Sequence, residues 1–152
     1  MSEKDPIRIF VAHLFDEDAD YSRLFEYLES RDNFFYVNTS RPDDMPAGGG
    51  EAIRDTLRKQ INAAEIVIVP VATHNRNPEL VDFQMDLAES LNKPLLGIRS
   101  FGGTVMLSKE LLQRCADVVE WNDRVITDAI RKLARNEDTS QWEVIDFDPD
   151  LL

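Results

Sequence analysis

Ile66 to Ala72 read IVIVPVA, an apolar run that follows one helical pattern directly and shortly precedes another. A strand without polar alternation is buried on both faces, which places it at the centre of a parallel sheet covered by helices on two sides. Pro70 is awkward inside the run, because proline has no N–H to give to a ladder.

Outward from this strand the same alternation repeats. Upstream, Glu51 to Ala63 reads as a helix with Ile53, Leu57 and Ile61 four apart on one face. Before it, Ile7 to Ala12 (IRIFVA) reads as a strand. The helix over about Asp18 to Ser30 carries Tyr21, Leu24, Phe25 and Leu28 on its buried face, and Asp16, Glu17 and Asp18 suit its positive N-terminal end. A strand at Phe34 to Val37 follows. Downstream come a helix over Pro78 to Leu91, a strand at Leu95 to Ile98, a short helix over Ser108 to Cys115, a strand at Val118 to Trp121 and a closing helix over Asn122 to Arg135. Five β-α units predict an α/β fold of the flavodoxin-like, three-layer kind, with a five-stranded parallel sheet in the order 2-1-3-4-5.

The domain is expected to span residues 1–135. Residues 136–152 form an acidic-apolar tail with Trp142, Val144, Ile145, Phe147 and Leu151, which would dock on its own domain or on a partner. The segment from Asn38 to Gly50 (NTSRPDDMPAGGG) is longer than usual for a connection in such a domain, which suggests function or mobility. Its glycines could offer backbone donors to a phosphate at a helix N-terminus, but without a following lysine and serine a flexible loop is the preferred reading.

A chain of 152 residues, 43% hydrophobic and 30% charged, is the size and composition of one soluble domain. No signal-peptide pattern and no apolar stretch of membrane-spanning length is present, so a cytoplasmic location is expected. The net charge of −12 opposes binding to nucleic acid, which demands a cationic surface. A single cysteine, Cys115, excludes an internal disulfide and a multi-cysteine metal site, and no metal constellation is expected. Lying on an apolar helix face, Cys115 reads as a buried structural thiol.

In an open parallel sheet the ligand crevice lies beyond the carboxyl ends of the strands, where strand order reverses. Its lining is then His13, Leu14, Phe15 and Asp16 after strand 1; Asn38, Thr39 and Ser40 after strand 2; Thr73, His74, Asn75 and Arg76 after strand 3; and Arg99, Ser100 and Phe101 after strand 4. On the helix after strand 3, Leu80, Leu87, Ala88 and Leu91 form the buried stripe, and Gln84 falls inside it rather than with Asp82 and Asp86 on the solvent face. The amide is either satisfied by nearby backbone or aimed at a ligand. A receiver domain would want an acidic residue at the end of strand 3, where this chain has Ala72 and Thr73.

Three segments resemble the TIR-like domains of the Thoeris antiphage defence family, over roughly residues 7–135. They are RIFVAHLFDEDADY (8–21), IRDTLRKQINAAEIVIVPVATHN (53–75) and, above all, ELVDFQMDLAESLNKPLLGI (79–98). The resemblance implies an NAD⁺ glycohydrolase or cyclase that makes an ADP-ribose-derived signal for a separate effector, with NAD⁺ as substrate and no prosthetic group. Gln84 stands where the family has its catalytic glutamate, so this copy is expected to bind NAD⁺ and to cleave it poorly or not at all. Two origins fit the amide: a substitution introduced to trap a substrate complex, which its near-isosteric character favours, or a natural non-enzymatic homologue.

The resemblance further implies a catalytic site of Gln84 with His74 close to it, and NAD⁺ binding by His13, Phe15, Asn38, Ser40, Thr73, Arg76 and Asp82. Some of Arg41, Arg76 and Arg99 should face the pocket to meet the phosphates. The loop 38–50 corresponds to the segment these domains use for self-assembly, so homo-oligomers are expected. Two other readings stand beside this one: a nucleoside deoxyribosyltransferase-like enzyme and a non-catalytic TIR adaptor.

Overall fold

The computed structural model describes residues 1–137. The tail from residue 138 onward, with its proposed docking, lies outside them. The strands are β1 (Ile7–Val11), β2 (Tyr36–Asn38), β3 (Ile66–Pro70), β4 (Leu95–Ile98) and β5 (Asp117–Val119). The helices are α1 (Ala19–Glu29), α2 (Gly50–Asn62), α3 (Val71–Arg76), α4 (Pro78–Ser90), α5 (Lys109–Arg114) and α6 (Asp123–Arg135). All strand pairs are parallel, in the expected order β2-β1-β3-β4-β5.

The continuous apolar run of β3 follows from its place. It pairs with β1 through Ile9↔Ile66 and with β4 through Val67↔Leu95, and all five of its residues are buried. Alternate residues feed two cores. Ile66 and Ile68 join Leu24, Leu28, Ile126 and Ile130 of α1 and α6, while Val67 and Val69 join Leu57, Ile61, Val81 and Met85 of α2 and α4. Each such aliphatic side chain, fully withdrawn from water, stabilises the fold by roughly 1.5–3 kcal/mol.

Helix starts are fixed by side-chain caps. Asp18 accepts the Tyr21 N–H, Asn77 that of Leu80 with Pro78 opening α4, Ser108 that of Leu111, and Asn122 that of Val125. The tight β4–β5 contact requires glycine at position 97. A Cβ there would lie 3.1 Å from a Val118 methyl and 3.3 Å from the Cys115 sulfur. Cys115 is buried, and its burial pushes the thiol up to about 11, as a structural thiol requires.

The structure corrects several boundaries. β3 ends at Pro70, not Ala72, and the chain turns at once into the short helix α3, so Thr73 to Arg76 are helical rather than loop. This resolves the awkward proline: it is the last strand residue and the extended residue that opens α3, while the ladder to β1 has already ended at Val11↔Ile68. β2 begins two residues later than expected, at Tyr36, and β5 ends at Val119, short of Trp121. On α4 the buried face is Val81, Gln84, Met85, Leu87 and Ala88, with Leu80 and Leu91 half-buried at its margin.

Candidate active site at the carboxyl edge of the sheet

β1 delivers His13 to the carboxyl edge, 1% exposed. Its Nδ1 accepts the Phe15 backbone N–H at 3.1 Å, so the ring hydrogen lies on Nε2 and is donated to Oε1 of Gln60 at 3.0 Å. The same Gln60 oxygen accepts the Arg41 backbone N–H at 2.9 Å, tying the β2–α2 loop to the end of β1. Burial lowers the His13 pKa below its ordinary value, against smaller opposing effects of the Gln60 bond and the nearby Asp16 charge. Phe15 has φ 61°, an unusual conformation for a bulky residue, and its ring meets the imidazole edge-on at 4.9 Å.

Gln84 reaches the same point from α4 and is fully buried. Its Oε1 accepts the His13 backbone N–H at 3.1 Å. Its Nε2 donates to the carbonyls of His13 at 2.8 Å and Leu80 at 3.2 Å. Both amide hydrogens and the amide oxygen are therefore matched.

Beside this centre, Asn38, Ser40 and Tyr21 close a hydrogen-bonded ring. Asn38 Nδ2 donates to the Tyr21 hydroxyl at 3.1 Å, the hydroxyls of Tyr21 and Ser40 lie 2.7 Å apart, and Ser40 Oγ donates back to Asn38 Oδ1. Burial raises the Tyr21 pKa, so the phenol stays protonated. At the N-terminus of α1, Asp18 accepts from Thr73 Oγ1 at 2.8 Å and from Arg76 at 3.1 Å. Arg76 also grips Asp16 with both terminal nitrogens, at 2.8 and 3.1 Å, and that bond holds the Asp16 carboxyl below the usual carboxylate range.

The structure thus brings His13, Phe15 and Gln84 into one cluster, Asn38 and Ser40 into a second with Tyr21, and Thr73 and Arg76 into a third with Asp18. The hydrogen-bond partner of His74 is Asp82, 2.9 Å from its Nε2, and Asp82 lies 3.9 Å from Arg114 of α5. Of the three arginines, some of which were expected to face a phosphate, Arg76 pairs with Asp16 and Asp18, Arg41 folds back onto the carbonyls of Asn38 and Ser40, and Arg99 pairs with Glu120 at 3.0 Å. Sequence reading missed Gln60 as a site residue. Its signal was available: it stands between Leu57 and Ile61 on the inward face of α2, the same polar interruption that marked Gln84.

The buried polar centre, made of His13, Gln60 and Gln84, is neutral. It supplies hydrogen bonds and shape, while the charges around it are paired with one another. The parallel sheet in the order β2-β1-β3-β4-β5, with helices on both faces, defines the class: a flavodoxin-like α/β domain. A family model described as Thoeris protein ThsB, TIR-like domain, matches residues 10–102, from β1 to the turn after β4, a stretch that holds every expected site residue. The chain belongs to that family, and with it has a TIR-domain role in antiphage defence. No curated protein matches the chain. Among the described residues no helix is long and apolar enough to cross a membrane.

Proposed function

We propose that this chain is a silent copy of an NAD⁺-cleaving TIR domain, one that takes NAD⁺ at the carboxyl edge of the sheet without breaking it. The supporting observation is the neutral, fully buried amide of Gln84 at the position of the family's carboxylate. Cleavage of a glycosidic bond develops positive charge on the ribose, and a preorganised anion stabilises it; an amide keeps the reach and loses the charge. In an active relative the outcome would be nicotinamide release and an ADP-ribose-derived signal read by a separate effector. In this chain His13 and Phe15 would border the base, Asn38, Ser40 and Thr73 the ribose and phosphates, and Arg76 the phosphate charge, with His74 and Asp82 at the α3–α4 side.

The test is calorimetric titration of the chain with NAD⁺ alongside an assay of nicotinamide release. Binding without release is expected. Release at the rate of an active relative would overturn the silent reading, and absence of binding would overturn the NAD⁺ reading altogether.

A specific observation favours one second reading. Asn38, Ser40, Thr73 and Gln84 all spend their polar atoms on the protein itself, and Arg41 folds back on its own loop. A domain so satisfied would act by association alone, as an adaptor, with the loop 38–50 as its self-assembly surface. NAD⁺ titration without heat, together with a concentration-dependent mass in sedimentation, would select it.

A further inference from the structure

Three described non-glycine residues have positive φ. Two are asparagines, Asn92 and Asn136, which tolerate the left-handed region; the third is Phe15, which does not. A strained backbone of this kind persists only where its surroundings hold it. Beyond the last ladder bond of β1, from Ala12 N–H to the Ile68 carbonyl, the polar groups of His13 turn to Gln84 instead of a strand.

We propose that Gln84 is a positioning residue whose carboxamide clasps the His13 peptide and so holds Phe15 in its left-handed conformation at the crevice mouth, a role that a carboxylate cannot fill. The number of hydrogens at the site decides between amide and carboxylate. The site presents one N–H, from His13, and two carbonyl oxygens, from His13 and Leu80. An amide answers with one acceptor and two donors. A carboxylate answers with two acceptors, one of which would lie against both carbonyl oxygens with no hydrogen between, in a place closed to water. A protonated carboxyl restores one donor.

Among the described residues, the charged groups beside this point are already engaged, Arg41 included, on the carbonyls of Asn38 and Ser40. His13 is neutral and bonded to Gln60; Asp16 and Asp18 are joined to Arg76; His74 pairs with Asp82, whose other neighbour is Arg114; Arg54 of α2 lies over the Phe83 ring at 5.7 Å. The clasp is formed in the absence of NAD⁺. Gln84 is thus an amide that the local structure uses, rather than a blank in a catalytic motif.

The test compares this chain with Gln84→Glu and Gln84→Met, following the melting temperature from pH 4 to 8 and hydrogen exchange at the Phe15 amide. For the glutamate variant the folded pKa lies above the unfolded value of about 4.3, so stability present below that value is lost as pH rises through the folded one. Gln84→Glu is therefore expected to come nearest to the parent near pH 4, where its carboxyl supplies one of the two donors, and to fall further behind toward pH 8, with the Phe15 amide exchanging at least about tenfold faster there. Gln84→Met, which fills the space without bonds, is expected to show a deficit that does not change with pH. If Gln84→Glu is too unstable to fold at neutral pH, its recovery in acid is the readout. A glutamate variant that melts with the parent at every pH, with the Phe15 amide equally protected, would overturn the clasp. That result leaves the NAD⁺ reading untouched, and a parent chain that fails to bind NAD⁺ leaves the clasp untouched.

Discussion

His13 donates its Nε2 hydrogen to Gln60 across 3.0 Å, and the direction of that bond is set on the far side of the ring, where Nδ1 accepts the Phe15 N–H. The end of β1, the β1–α1 turn and α2 are thereby joined through one neutral imidazole. Protonation would put a hydrogen on Nδ1 facing the Phe15 N–H and break the turn's internal bond.

A pH dependence follows. Burial depresses the folded His13 pKa below its ordinary 6.5, so the unfolded chain takes up the proton first. Stability present above pH 6.5 is lost as pH falls toward the depressed value. The melting temperature is expected to drop between pH 7.5 and pH 5, and His13→Gln to flatten that part of the profile in calorimetry. An equally steep profile in the variant would refute the neutral histidine.

Asp18 carries three loads. It caps α1 at the Tyr21 N–H, accepts from the fully buried Thr73 hydroxyl and meets Arg76. Asp18→Ala removes the cap, at about 1 kcal/mol, and strands the Thr73 hydroxyl, at about 1–2 kcal/mol more. Asp18→Asn keeps an acceptor for the helix and is expected to lose less than half as much in urea denaturation.

Gly97→Ala pushes a methyl to 3.1 Å from Val118 and 3.3 Å from Cys115, contacts too short to keep. An overpacking cost of roughly 1–3 kcal/mol is expected. Combining it with Cys115→Ala removes one of the two clashes, so the double variant should be more stable than the sum of the single losses predicts. Strict additivity in denaturant titrations would show that the sulfur gives way freely.

Glu65, just before β3, accepts from Arg135 and from the backbone N–H of Arg8, and these bonds, the Arg135 one first, pull its carboxyl from 4.5 to about 2. With the folded pKa depressed, the stabilisation is present above about pH 4.5 and lost as pH falls through about 2. Glu65→Gln is expected to melt lower at pH 7 and to lose part of the parent's acid sensitivity below pH 4.5, where the parent's own advantage disappears.

What the sequence disclosed and what it hid divide along a physical line. The central run at residues 66–72 and the four-residue spacing of Ile53, Leu57 and Ile61 are periodic signals, and they sufficed for strand order and layers. The inward aim of Gln84 followed from the same helical arithmetic. The left-handed turn at Phe15, the helix that starts directly at Val71 and the pairing of His74 with Asp82 depend on single contacts between distant segments, which no period records. Gln60 belongs to the readable kind, although on a helix as rich in polar residues as α2 a single buried glutamine resembles a solvated one.

Arg76, at the end of α3 on the carboxyl edge of the sheet, has its charge already committed to Asp16 and Asp18, on a molecule of net charge −12. An approaching phosphate ester therefore meets a repulsive field that Arg76 does little to offset. Dissolved ions shrink the range of such a field to about 10 Å at 0.1 M salt. Any dinucleotide that binds this protein is expected to associate faster as ionic strength rises, the reverse of what a protein with a cationic entrance would show in stopped-flow mixing.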